Sequence, residues 1–128
     1  MSDKRRILIV DDEPGIVKMV SKRLEIEGYE VSSAKDGEEA LEMLAGQNPE
    51  LVILDLMLPK MNGYEVCEKI KSDEHHADVP VILFTAMAQQ QDKKHGFECG
   101  AEAYVCKPFT TQELLDKIKE LLSKKSGA

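Results

Sequence analysis

Five side chains with the chemistry of a phosphoryl-transfer site stand directly after short apolar runs of the sequence. Asp11 and Asp12 follow ILIV, Asp55 follows LVIL, Thr85 follows VILF and Lys107 follows AYVC. Two carboxylates about 4 Å apart repel each other by about 4 kcal/mol at an effective dielectric of 20, so three clustered carboxylates favour a bound cation. An all-oxygen donor set without Cys or His suits Mg²⁺. A carboxylate beside Mg²⁺, with a hydroxyl and a lysine, is equipped to capture a phosphoryl group.

Asp55 ends a stretch whose pattern otherwise belongs inside a protein. Leu51–Leu54 is a continuous apolar run, typical of a strand buried on both faces, and Pro59 and the Asn62-Gly63 pair then end the element. Desolvating an unpaired carboxylate there would be costly. Taken alone, Asp55 is equally well explained as a loop cap that accepts hydrogen bonds from nearby backbone N–H groups. Together with the other four residues, we interpret it as the phosphoryl acceptor.

Short apolar runs predict the strands that position these residues. Strands are predicted at 7–10, 51–54, 81–84 and, less purely apolar, 103–106. Residues 29–33 alternate apolar with polar side chains, which indicates a half-exposed edge strand.

Helical periodicity fills the intervals between the strands. Five helices are predicted: from Pro14 to Gly28, from an N-cap at Asp36 to Gly46, around Val66–Ile70, within the polar segment 87–99, and from a capping box at Thr110 and Glu113 onward.

Strict alternation of strand and helix predicts a doubly wound α/β fold. It implies a five-stranded parallel sheet with helices on both faces. Because the second strand suits an edge, the order 2-1-3-4-5 fits best. Ligands of such sheets bind beyond the carboxyl ends of the strands, between strands one and three, and this is where the five polar residues should meet.

The composition indicates one globular domain of 128 residues. The net charge of −7 disfavours non-specific binding to nucleic acid or to an anionic membrane. Residues 1–10 lack the apolar core of a signal peptide, and no apolar run could span a bilayer, so a cytoplasmic protein is expected. The three cysteines show no C-x-x-C spacing and are expected to be reduced. Adjacent His75 and His76 are expected to lie in a solvated loop rather than at a metal.

Four motifs together resemble one family. ILIVDDE, ILDLMLPKMNG, ILFTA and YVCKPF, in this order and spacing, are similar to the receiver domains of bacterial two-component response regulators, and to the single-domain, chemotaxis-regulator-like kind. The resemblance covers residues 5–123 and leaves 124–128 as a short flexible tail.

The resemblance implies a role for each carboxylate. Asp55 would be the phosphorylated aspartate. Asp12 would bind Mg²⁺ directly and Asp11 mainly through water. Asp55 and the backbone carbonyl of Met57 would complete the protein ligands.

The resemblance also assigns roles to later residues. Thr85 and Lys107 would each contact a phosphoryl oxygen, and the Lys107–Pro108 peptide bond would be cis. Tyr104 matches the aromatic residue that turns inward when the threonine moves toward the phosphoryl group. This movement would bias the face formed by the fourth predicted helix, the fifth strand and the fifth helix.

A receiver of this kind would be a signalling switch and not a turnover enzyme. A histidine kinase or phosphotransfer protein would supply the phosphoryl group, and the chain would catalyse its own Mg²⁺-dependent phosphorylation and slow dephosphorylation. A downstream protein would be the target, without direct contact to nucleic acid or membrane. A dimer that forms on phosphorylation is left open, as is whether the chain is the front of a longer regulator.

Three other functions compete with that of a competent receiver. A phosphatase of the haloacid dehalogenase type needs a second acid two residues after the nucleophile, where Met57 stands. A flavin-binding module needs a Ser/Thr-rich phosphate loop, whereas Asp11-Asp12-Glu13 would repel a phosphate that is not accompanied by a cation. A degenerate receiver would lack some of the acidic, Thr and Lys residues that are all present here.

Met57 and Met87 predict a long-lived phosphoryl group, because a thioether orients an attacking water poorly. Replacing Met57 by Asn supplies a polar side chain there, so Met57→Asn should speed dephosphorylation severalfold. The rate is measured as loss of the phosphorylated mass after removal of the donor. An unchanged rate would mean that the methionines merely cover apolar surface.

Overall fold

Five parallel strands form one sheet in the predicted order, β2-β1-β3-β4-β5. The computed structural model describes residues 5–85, 100–106 and 109–126, with the side chains of Thr85 and of residues 124–126 outside the description. The strands are β1 Arg6–Val10, β2 Glu30–Ala34, β3 Leu51–Asp55, β4 Val81–Thr85 and β5 Ala103–Cys106.

Four helices connect or follow the strands within those ranges. They are α1 Pro14–Ile26, α2 Gly37–Gln47, α3 Gly63–Ser72 and the C-terminal helix Thr111–Ser126. The C-terminal helix extends into the predicted tail. The fourth predicted helix, within 87–99, lies outside the described residues. None of the described helices is long and apolar enough to cross a membrane.

Alternate residues of the central strands face two separate cores. Leu8 and Val10 of β1 pack on the side of α2 and α3, whereas Ile7 and Ile9 pack on the side of α1 and the C-terminal helix. β3 divides in the same way, and all five of its residues are buried. Burial on both faces explains why these strands are continuous apolar runs.

β2 lies at the edge of the sheet, as its alternating sequence predicts. Only Ala34 of its five residues is buried. The strand lies one residue later than the predicted 29–33 because its pairing with β1 starts at Glu30, opposite Arg6. Gly28, with φ +98°, makes the left-handed turn between α1 and β2 that its position suggests.

α2 starts at the predicted N-cap. The Asp36 carboxylate accepts a hydrogen bond from Glu39 N–H at 2.9 Å, and this bond holds the pKa of Asp36 below its usual value. A lowered pKa stabilises the fold above the ordinary pKa of the carboxyl, and that stabilisation is lost as the pH falls through the folded value. The helix passes Gly46 and ends at Gln47, because Asn48 takes the left-handed conformation, with φ 48°.

α3 begins in tight contact with the end of β3. Gly63 N–H donates to the Leu56 carbonyl oxygen at 3.0 Å, and Asn62 caps the helix through Glu65 N–H. A Cβ on Gly63 would lie 2.5 Å from the Asp55 carbonyl oxygen and 2.8 Å from Leu56 Cα. No side chain fits there, so the first turn of α3 rests directly on the backbone of Asp55.

Lys71 forms a clamp at the opposite end of the sheet, where β4 and β5 begin. Its ammonium donates to the carbonyl oxygens of Ala77 at 3.2 Å and Val79 at 2.7 Å, and to Glu102 Oε2 at 2.6 Å. Glu102 Oε1 accepts from Val81 N–H at 2.8 Å. One cation thus joins the end of α3 to the starts of β4 and β5.

Removing this ammonium should destabilise the fold. Lys71→Met keeps an unbranched apolar stem but removes the ammonium from two carbonyl oxygens and from Glu102 Oε2. We expect the free energy of unfolding to fall by about 1–3 kcal/mol, below the cost for a fully buried pair because Glu102 is partly exposed. Urea unfolding measures this, with Lys69→Met, an exposed lysine of the same helix, as the control. Equal stability of the two variants would contradict the clamp.

Candidate metal and phosphoryl site

Three carboxylates converge at the carboxyl ends of β1 and β3. One oxygen from each of Asp11, Asp12 and Asp55 lies within 4.8 Å of the other two. Asp11 and Asp55 are 2% and 4% exposed, whereas Asp12 is exposed to solvent. Within the described ranges, no other three Asp, Glu, His or Cys side chains come together in this way.

Backbone amides fix the two buried carboxylates. Asp11 Oδ1 accepts from Glu13 N–H at 2.9 Å, and Asp55 Oδ1 accepts from Met57 N–H at 3.0 Å. Asp55 therefore does make the loop-capping bond of the alternative interpretation. That bond does not explain why Asp11 and Asp12 share the same place, where three negative charges repel one another.

The donor set fits a hard divalent cation. Carboxylate oxygens are the ligands that Mg²⁺ prefers, and a site with few protein ligands leaves coordination positions for water and phosphate. The buried pair is held in place by backbone bonds, and exposed Asp12 leaves the site open to solvent. Met57, whose carbonyl is a predicted ligand, comes two residues after Asp55, and its side chain is 75% exposed.

A cleft of about 490 Å³ lies beside the acidic group. Asp11 and Asp12 form part of its wall, and Lys18 and Lys35 bring positive charge to the same wall. Glu39 adds a further carboxylate to this wall, so the cleft carries charges of both signs beside Asp11 and Asp12.

Thr85 ends the strand next to Asp55. Asp55 pairs with Phe84 across β3 and β4, and Leu56 N–H donates to the Phe84 carbonyl oxygen at 3.1 Å. Thr85 is therefore one residue beyond the partner of Asp55, at the same edge of the sheet. Its side chain is not among those described.

Lys107, Pro108 and Met87 lie outside the described residues, but the neighbours of Lys107 are placed. Cys106 pairs with Thr85 across β4 and β5. Phe109 stacks on buried Phe84 with ring centroids 4.7 Å apart, and Thr110 Oγ1 accepts from Glu113 N–H at 3.1 Å. Cys106 and Phe109, the described residues on either side of 107–108, thus both contact the last residues of β4.

Tyr104 has a partner that the sequence did not indicate. Its side chain is partly buried on the α2–α3 side of the sheet, and its hydroxyl lies 3.1 Å from the hydroxyl of Tyr64 on α3. Nothing local in the sequence marks Tyr64, since the two residues are 40 positions apart.

The two adjacent histidines form part of the loop after α3. Asp73 accepts from His75 N–H at 2.9 Å and pairs with His76 Nδ1 at 3.0 Å, and the bond from His75 chiefly lowers the pKa of Asp73. His75 is exposed as predicted, whereas His76 is partly buried against Asp73.

Comparison with known proteins decides the family. The protein-family model for the response regulator receiver domain matches residues 7–119 of this chain. The chain belongs to this family. The match confirms the resemblance that the four sequence motifs indicate.

Curated relatives of this receiver domain are longer regulators. The DNA-binding dual master transcriptional regulator RpaA of Synechocystis is 46% identical over 117 residues, which cover 91% of this chain and 48% of the relative. A probable transcriptional regulator ycf27 of Guillardia theta is 44% identical over 128 residues, covering all of this chain and 49% of the relative. The chain thus spans about half the length of these relatives.

Solved structures share the fold along almost their whole length. A putative response regulator from Chloroflexus aurantiacus has a TM-score of 0.91 at 36% identity, covering 94% of this chain and 99% of its own. A CheY-like receiver domain from Methanospirillum hungatei has a TM-score of 0.90 at 34% identity, covering 98% of this chain and all of its own. The predicted doubly wound fold is therefore confirmed.

Proposed function

We propose that this receiver domain is a signalling switch that accepts a phosphoryl group on Asp55. The observation that carries the proposal is the convergence of Asp11, Asp12 and Asp55 within 4.8 Å at the ends of β1 and β3. A cluster of this charge, built on rigid strand ends, is costly without a cation and chemically useful with one. The whole of 1–128 would be one receiver, with its core at 5–123.

Asp55 acts as the nucleophile in this proposal. A carboxylate oxygen attacks the phosphorus atom, a new O–P bond forms, and the bond to the donor's leaving group breaks. Met57 N–H, which holds Asp55 Oδ1, sets the orientation of the carboxylate before the donor arrives. When bound by Asp11, Asp12, Asp55 and the Met57 carbonyl, Mg²⁺ would neutralise charge on the carboxylates and on the phosphoryl oxygens.

Thr85 and Lys107 complete the site as donors to phosphoryl oxygens. Thr85 follows the strand partner of Asp55, and the neighbours of Lys107 are anchored by the pairing of Cys106 and the stacking of Phe109. A hydroxyl and an ammonium favour the phosphorylated state because they hydrogen-bond to charge that the acceptor gains.

The donor would be a histidine kinase or a phosphotransfer protein, and the output would be a protein contact. The face that includes β5 and the C-terminal helix, together with the segment 87–99, would carry the signal. RpaA, whose name describes it as DNA-binding, is about twice as long as this chain. The net charge of −7 makes direct nucleic-acid binding by this receiver itself unfavourable.

Phosphorylation by a small donor tests the assignment. Incubation with acetyl phosphate and Mg²⁺ should add one phosphoryl group, measured by intact mass. Asp55→Asn should abolish the adduct because the amide is a poor nucleophile. Asp36→Asn is the matched control, because Asp36 is also buried and lies outside the acidic group. Asp36 caps α2, and Asn caps a helix equally well, so this variant should stay folded. It should be phosphorylated like the wild type.

The same experiment separates the alternatives. A flavin module or a degenerate receiver would form no adduct, and a phosphatase would, in a separate assay, turn over phosphoesters. An Asp55→Asn protein that still gains a phosphoryl group would show that another residue is the acceptor.

A further inference from the structure

Tyr64 and Tyr104 join α3 to β5 through their hydroxyl groups. The oxygens lie 3.1 Å apart, a hydrogen bond in which either tyrosine can donate, and the contact is partly shielded from solvent. Both rings pack against the core on the α2–α3 side of the sheet. A bond between two separate elements links their positions.

The α3 end of this bond lies close to the proposed phosphoryl acceptor. Tyr64 directly follows Gly63, whose Cα has no room for a side chain against the Asp55 carbonyl oxygen. Gly63 N–H also donates to the Leu56 carbonyl oxygen. Because the two backbones are in close contact here, a shift of the Asp55–Leu56 backbone must displace the first turn of α3.

The other end of the bond lies on the edge strand of the sheet. Tyr104 pairs with Leu83 across β4 and β5. The next residue of β4, Phe84, is the strand partner of Asp55. β5 then leads through Cys106 to Lys107. A displacement of the Tyr104 ring therefore also displaces β5, the strand that precedes this lysine.

We propose that Tyr64 is a positioning residue that transmits a change at Asp55 through α3 to Tyr104 and β5. This proposal rests on the proposed function, since phosphorylation is the change transmitted. Phosphorylation alters the carboxylate that Met57 N–H holds, and with it the backbone on which Gly63 rests. The hydroxyl pair then moves Tyr104 together with α3. This route passes through neither Thr85 nor the segment 87–99.

Carbon-13 at the ζ ring position of tyrosine supplies the measurement, because this carbon senses the bonding of its hydroxyl. The chain has three tyrosines, and Tyr29 packs in the core on the other side of the sheet, which makes it an internal reference. Spectra are recorded before and after phosphorylation by acetyl phosphate and Mg²⁺, with intact mass measured on the same samples. In the wild type the Tyr64 and Tyr104 signals should both shift, and the Tyr29 signal should not.

Tyr64→Phe removes one oxygen and keeps the ring that packs in the core. It should still be phosphorylated, while the shift of the Tyr104 signal falls by about two- to tenfold, the range that one hydrogen bond supplies in an equilibrium. Tyr104→Phe removes the same hydrogen bond from its other end, so the Tyr64 signal should also shift less on phosphorylation than in the wild type. Tyr29→Phe should leave both shifts unchanged.

The outcomes separate this proposal from the function on which it rests. A wild type with no phosphoryl adduct would overturn both. A phosphorylated wild type whose Tyr104 signal does not move, or moves equally in Tyr64→Phe, would overturn the α3 route alone. Loss of phosphorylation in Tyr64→Phe would also overturn it, because the hydroxyl would then be needed at Asp55 and not beyond it.

Discussion

Mutual repulsion of three carboxylates is the constraint on which the site depends. Asp11, Asp12 and Asp55 come within 4.8 Å because β1 and β3 are adjacent and parallel, and both end at the same edge of the sheet. The paired apolar strands hold charges together that would separate in a flexible chain. Backbone N–H groups of Glu13 and Met57 offset part of that cost, and a bound cation would offset more.

Rigidity on both sides of Asp55 turns a charged cluster into a potential switch. Gly63 rests on the Asp55 backbone, and the Phe84–Phe109 stack holds the segment after Lys107 near the end of β4. A small displacement of Asp55 therefore acts on closely packed neighbours and is not absorbed by solvent. The Lys71 clamp joins the amino ends of β4 and β5 at the opposite end of the sheet, whereas their carboxyl ends lead to Thr85 and Lys107, the proposed contacts of the phosphoryl group.

The sequence predicted the features that depend on local patterns. Apolar runs located the strands, the alternation in β2 placed it at the edge, and Asp36 and Thr110 marked helix starts. The boundary of β2 was one residue out because pairing with β1, a long-range contact, sets it. The Lys71–Glu102 clamp joins residues 31 positions apart, and neither partner belongs to a recognisable pattern, so only the folded chain reveals it.

Paramagnetic Mn²⁺, which takes the same oxygen ligands as Mg²⁺, tests the central claim most directly. Mn²⁺ should broaden the backbone amide signals of residues 11–13 and 55–57 first, excess Mg²⁺ should reverse the broadening, and Asp12→Asn should weaken it. Broadening centred instead on the acidic surface of α3 near Glu65, Glu68 and Asp73, with residues 11–13 and 55–57 unaffected, would contradict the account.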